Sequence, residues 1–114
     1  MAISSLTLPA QWLQSTLLVT LPAYLDESNA NEIRGQLLAA VGQRPQALIA
    51  NMSGTAWCDW AGAGVIASLS ARALEARIEV RLVVRDETVR RVLSLNGLDR
   101  IMAIYRDVTT ATYH

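Results

Sequence analysis

Residues 47–84 read ALIANMSGTAWCDWAGAGVIASLSARALEARIEVRLVV, and the order of patterns inside this stretch decides the fold. It opens with a short apolar run, Ala47–Met52, set off by Pro45, which reads as a strand. Over residues 62–76, Val65, Ile66, Leu69 and Ala73 recur at helical spacing, with Arg72 and Glu75 on the other face. Residues 80–84 return to a strand pattern, Val, Arg, Leu, Val, Val. A strand, a helix and a second strand in succession form a crossover unit, which leaves its two strands parallel.

The alternation continues outward. Upstream, residues 5–8 and 17–21 read as strands joined by a turn over residues 9–16, an initial hairpin. Asn29 and Glu32 have the spacing of a capping box, and Ala30, Ile33, Leu37, Leu38 and Val41 then recur at helical spacing until Gly42. Downstream, Asp86 caps a third helix striped by Val89, Val92 and Leu93, and Asn96 with Gly97 supplies its left-handed stop. Residues 101–105 read as a last strand, and Asp107 begins a short terminal helix. The expected fold is α/β, of order β-β-α-β-α-β-α-β with that last helix appended. It has a mixed, mainly parallel central sheet, a hairpin pairing at its start, and helices mostly on one face. With 114 residues and no Pro/Gly-rich linker, residues 1–114 are expected to form one domain.

Composition narrows the function. All ten basic residues are arginine and ten acids balance them, so the chain is formally neutral. A neutral chain without a basic stripe is a poor candidate for nucleic acid or an anionic membrane. The lack of lysine excludes Schiff-base chemistry and the lysine of a phosphate-binding P-loop. Cys58 is the single cysteine, which points to a reducing compartment, and no apolar run approaches the roughly 20 residues of a membrane helix. The first residues lack a basic start and an apolar core, so no signal peptide is expected. The expected location is the cytoplasm. No His, Cys or carboxylate cluster has metal-ligand spacing, His114 is the only histidine, and no cofactor is implied.

Three blocks carry a family resemblance. The first, residues 51–65, reads NMSGTAWCDWAGAGV; the second, residues 19–38, reads VTLPAYLDESNANEIRGQLL; the third, residues 89–98, reads VRRVLSLNGL. In this order and spacing they resemble the STAS domain of anti-sigma-factor antagonists. That resemblance implies a sheet with helices packed against it, an exposed loop entering the second helix, and a role in binding an anti-sigma factor or a kinase-like regulator. It also implies a serine, directly after the signature aspartate, that the partner kinase phosphorylates. Here Asp59 matches the aspartate, but Trp60 stands at the phosphoacceptor position and Ala61 follows, and neither has a hydroxyl. Ala23 and Tyr24 replace the usual glycine and acid, and Asn51 stands where aspartate is common. Ser53 and Thr55 are the nearby hydroxyls that could substitute.

The resemblance assigns partner binding to Asp26, Asp59, Trp60, Ala61, Gly62 and Gly64. Each has a plainer reading beside it. Trp60 is either an exposed interface anchor or a ring folded back on its own domain. Asp59 is a helix N-cap or a partner contact, and Asp26 a loop organiser or part of the binding surface. Gly62 and Gly64 lack the third glycine and the acid of a dinucleotide site, which favours tight backbone geometry. Trp57 and Cys58 are expected to pack in the core. Beside the antagonist reading stand two others: a STAS adapter that binds the nucleotide-hydrolysing subunit of a membrane transporter, and a phosphoryl carrier using Cys58.

Overall fold

The computed structural model describes residues 7–113. Its main sheet has five strands in the order β1-β2-β4-β6-β7: Ala10–Leu13, Thr16–Thr20, Ala47–Met52, Glu79–Val84 and Ala103–Tyr105. β1 and β2 pair antiparallel, and every other neighbour pair is parallel. This is the mixed, mainly parallel sheet with an initial hairpin that the pattern of apolar runs predicts. A separate ribbon joins two short strands, β3 (Tyr24–Leu25) and β5 (Trp57–Cys58). The helices are α1 (Ala30–Gly42), α2 (Trp60–Ala76), α3 (Glu87–Leu95) and α4 (Val108–Thr112), with a 3-10 turn at Leu98–Arg100.

The central strands are apolar nearly throughout because both sheet faces are covered. On one face Leu48, Ala50 and Met52 of β4 and Val80, Leu82 and Val84 of β6 join the core formed with Ile33 and Leu37 of α1, Ile66 and Leu69 of α2, and Leu93 of α3. The alternate residues Ile49 and Val83 face the other way and meet Ala111 of α4, beside Leu18, Tyr105 and Val108. Helices thus lie mostly on one face, with only the five-residue α4 on the second. Arg81 fastens it there. Its guanidinium donates to both Glu79 carboxylate oxygens at 2.9 and 3.0 Å and to the Ala111 carbonyl at 2.9 Å.

Several boundaries differ from the sequence pattern, each for a local reason. Of the first expected strand, residues 5–8, Ser5 and Leu6 lie outside the described residues, while Thr7 and Leu8 are not in a strand. The partner of β2 is instead Ala10–Leu13, an edge strand with three exposed residues, so it shows no apolar alternation to read. The turn shrinks to Gln14 and Ser15, with Gln14 at φ 61°. The capping box does not form. Asn29 turns its side chain back, accepting from the Asp26 amide and donating to the Tyr24 carbonyl, and Glu32 Oε1 is buried without a hydrogen-bond partner. Helix α1 runs through Gly42, and the left-handed residue after it is Arg44 (φ 60°). The last strand starts at Ala103, because Ile101 and Met102 belong to the turn after the 3-10 segment. Asp86, Asp107 and Gly97 do cap and stop their helices as their residue types predict.

The two faces should respond differently to damage. Leu82→Ala opens a cavity in the main core and is expected to cost about 2–5 kcal/mol in urea unfolding. Ala111→Glu is expected to cost less than Leu82→Ala, because a five-residue helix can swing away and hydrate the new carboxylate. Equal losses would show that α4 unfolds only with the whole sheet.

Candidate functional site

The site starts from two loops that leave neighbouring strands on the same edge of the sheet. After β2 and β4 part, their continuations stay joined. Leu21 N–H donates to Asn51 C=O at 2.9 Å, Thr55 Oγ1 to Pro22 C=O at 2.7 Å, and Ala56 N–H to Ala23 C=O at 2.7 Å. The chain then settles into the parallel β3–β5 pair, with Tyr24 opposite Trp57 and Leu25 opposite Cys58. Strand alternation sorts these four residues: Leu25 and Cys58 are buried, and Tyr24 and Trp57 point outward. Trp57, expected in the core, is 53% exposed. Two adjacent residues of a strand that is covered on one side cannot both be buried.

One residue beyond the ribbon lie Asp26 and Asp59. The Asp26 carboxylate accepts from Ser28 N–H at 2.9 Å and Ser28 Oγ at 2.5 Å, which holds the turn into α1. Asp59 caps α2: its Oδ1 accepts from Gly62 N–H at 2.9 Å, which places a carboxylate at the positive end of the helix. Helix α2 therefore begins at Trp60, two residues before the apolar periodicity. Trp60 is 69% exposed, so its ring does not fold back onto the domain. Ala61 is half-buried against the core.

Gly62 has a packing role. It is buried, and a Cβ there would overlap the Leu25 carbonyl oxygen and stand 2.8 Å from Cys58 Sγ. Only a hydrogen lets the first turn of α2 press onto the ribbon. Gly64 has nothing within 4 Å of the same position, so close packing does not require a glycine there. The two hydroxyls near the signature loop are also placed. Thr55 is 1% exposed with its hydroxyl bonded to Pro22, while Ser53 sits half-buried in the turn that Asn51 Oδ1 closes at 3.1 Å.

Sequence reasoning missed the other wall of the site. Val92 and Leu95 of α3, with Asn96 just after it, face Trp57, Asp59 and Trp60 across a concavity of about 220 Å³. Leu95 is 70% exposed, two positions beyond the last residue of the apolar stripe of α3, and an apolar residue off that stripe was the available signal. The space is smaller than the roughly 300–1,000 Å³ of small-molecule sites, and suits a side chain of a partner better than a cofactor. Cys58 lines it, but burial first and then the neighbouring Asp59 charge push its thiol up to about 11. At neutral pH the sulfur is a thiol and not the thiolate that nucleophilic or phosphoryl-carrying chemistry needs. Among the described residues, no group of three His, Cys, Asp or Glu could hold a metal ion, and no helix is long and apolar enough to cross a membrane.

A mixed five-stranded sheet with one antiparallel pair at its start and helices mostly on one face is the architecture of one family. The STAS domain family model matches residues 8–111, and the chain belongs to that family. No curated protein matches the sequence. Among solved structures, an anti-sigma factor antagonist from Mycobacterium paratuberculosis is 20% identical with a TM-score of 0.85, over 94% of this chain and 91% of that one. The unphosphorylated anti-sigma factor antagonist SpoIIAA, known from Bacillus, is 19% identical with a TM-score of 0.76, over 94% and 95%. The murine anion transporter Slc26a9 is 22% identical with a TM-score of 0.78, over 90% of this chain and 18% of the transporter.

Two paired measurements test this geometry. Gly62→Ala is expected to destabilise by about 1–3 kcal/mol through overpacking. Gly64→Ala is expected to be neutral, or to stabilise by up to about 1 kcal/mol through helix propensity, and chemical denaturation should separate them. The Cys58 thiol should react with iodoacetamide at pH 8 about two orders of magnitude more slowly than an unperturbed cysteine near 8.5. For a thiol raised by folding, its contribution to stability is intact below about 8.5 and falls as the pH rises toward 11. Rapid labelling of the native protein at pH 8 would show that the sulfur is not shielded.

Proposed function

We propose that this chain is a regulatory module, a single cytoplasmic STAS domain that binds an anti-sigma factor or a related regulator without the serine phosphorylation switch. It inserts into no membrane, binds no nucleic acid and is assigned no catalytic step. The observation that carries the reading is Trp60: a large apolar ring, 69% exposed, at the first residue of the helix that the signature loop enters. Exposed tryptophan beside a small apolar concavity is the usual chemistry of an interface anchor. Asp59 lines the concavity and Asp26 follows the paired strand, adding carboxylates that suit a partner presenting an apolar side chain flanked by basic ones.

The absence of a switch follows from side-chain chemistry. Neither Trp60 nor Ala61 can accept a phosphoryl group, Thr55 is enclosed, and Ser53 is held in its turn. A phosphoserine would place roughly −1.5 to −2 charges beside Asp59, altering the face that the partner reads. With tryptophan there, the face keeps one state. Regulation then falls on the abundance or the release of the partner.

A second reading keeps the face and changes the partner: a STAS adapter bound to the nucleotide-hydrolysing subunit of a membrane transporter. The likeness to part of an anion transporter supports considering it. Affinity purification from the native host, with each copurifying protein then tested by direct titration, separates the two. An anti-sigma factor favours the first and a transporter subunit the second.

Trp60→Ala is expected to weaken the partner complex by about 2 kcal/mol or more while leaving the unfolding midpoint nearly unchanged. A loss of stability with unchanged affinity would assign the ring to the fold instead of the interface. Incubation with ATP and a kinase-type partner is expected to leave the intact mass unchanged.

A further inference from the structure

At the end of α2 remote from Trp60, roughly 25 Å away at 1.5 Å per helical residue, the molecule has a corner of opposite chemistry. Helices α1 and α2 finish here, beside the starts of β4 and β6. Arg44, Arg72 and Arg77 line one concavity of about 390 Å³, within the range of small-ligand sites. Its buried apolar base includes Val41, Pro45 and Ile78. Gln46 is the remaining polar side chain, and its Oε1 accepts from Ser15 Oγ at 3.0 Å, which leaves its amide N–H groups as donors. No carboxylate lines the space. Arg72 is paired with Glu75, exposed and 3.6 Å away. Among the described residues the guanidiniums of Arg44 and Arg77 have no hydrogen-bond or ion-pair partner. The lining therefore offers donors and positive charge over an apolar base.

Arginine near a helix C-terminus also complements the helix dipole, and that plainer account has to be weighed. It does not explain the positions. The last turns of α1 and α2 hold no basic residue, although arginine there would serve the dipole with ordinary backbone angles. The arginines instead occupy left-handed positions just beyond, Arg44 at φ 60° and Arg77 at φ 59°, where glycine or asparagine is the usual occupant. These are two of the three non-glycine residues with positive φ among the described residues, and both line the same concavity. The helix-end carbonyls are already met by backbone donors: Ala40 and Val41 by Gln43 and Arg44, Ala73 and Leu74 by Ile78 and Arg77. A side chain retained where a glycine would sit more comfortably is expected when function outweighs local stability.

We propose that this corner binds a small organic phosphate. The three guanidiniums take the phosphate oxygens through charge-assisted, bidentate hydrogen bonds, and the apolar base of Val41, Pro45 and Ile78 receives the organic body. The site is independent of the partner face, so both can be filled together.

The test uses the full chain and three probes, ATP, pyrophosphate and adenosine, titrated by calorimetry at low and moderate salt. ATP and pyrophosphate are expected to bind and to compete with each other, ATP more tightly, with affinities that fall as salt rises, while adenosine does not bind. The double variant Arg44→Gly with Arg77→Gly is expected to lose on the order of a hundredfold in affinity yet melt at the same or a higher temperature. Arg72→Gln, on the exposed flank of α2, should weaken binding without touching either left-handed residue. The proposal is overturned if neither ATP nor pyrophosphate binds at millimolar concentration, or if their affinity survives the double variant. It is equally overturned if vesicles containing phosphatidate bind while both soluble phosphates do not, since the corner would then be a membrane contact. Partner binding through Trp60 should be unchanged in all these variants, which keeps this outcome separate from that of the partner face.

Discussion

Everything at the candidate site depends on the close approach of Gly62 to Leu25 and Cys58. Parallel strands diverge into loops, and loops alone would leave Asp26 and Asp59 unrelated in space. The backbone bonds from residues 51–59 to residues 21–25 keep the two excursions together, and the missing side chain at residue 62 lets a helix seat directly on them. With that contact in place, the Asp59 cap aims the first turn of α2, and Trp60 has nowhere to go but outward. Any bulk at residue 62 would lift the helix start and move the cap, the ring and the concavity beside α3 together.

The fold could be read from the sequence where burial imposes itself on both faces of a strand. Ala47–Met52 was legible to the residue because β4 lies at the centre of the sheet under helices on either side. β1 was misplaced because an edge strand with three solvated residues need not be apolar at all. Helix ends were legible where an aspartate or Gly97 could do only one thing, and illegible at Asn29, whose amide had two backbone groups of the preceding loop within reach. The candidate site was half legible. Asp59 and Trp60 follow from the signature resemblance, whereas the exposure of Trp57 depends on pairing between two-residue strands that no periodicity can announce. Leu95 became visible only once α3 was seen to form the opposite wall.

Trp60 also changes the meaning of the helix end that it occupies. A helix N-terminus favours anions. The Asp59 carboxylate supplies one such anion, and the next position is a bulky, uncharged ring. The exposed ring offers apolar area at that helix end and no hydroxyl that could take a phosphoryl group.

The order of the strands has a consequence for how the molecule comes into being. Thr16 pairs with Ala47, Ala47 with Glu79, and Arg81 with Ala103, so each parallel contact closes a loop of about twenty to thirty residues before it gains a ladder. Only the β1–β2 hairpin is local. The search for the native topology is therefore dominated by distant encounters, which places folding on the slower, millisecond-to-second side of the range for small domains. During synthesis β4 emerges with its β6 edge still unsatisfied, and about thirty more residues must leave the ribosome before that edge is covered. The long apolar run that makes β4 so easy to recognise is also the segment most exposed to wrong pairing while the chain is incomplete.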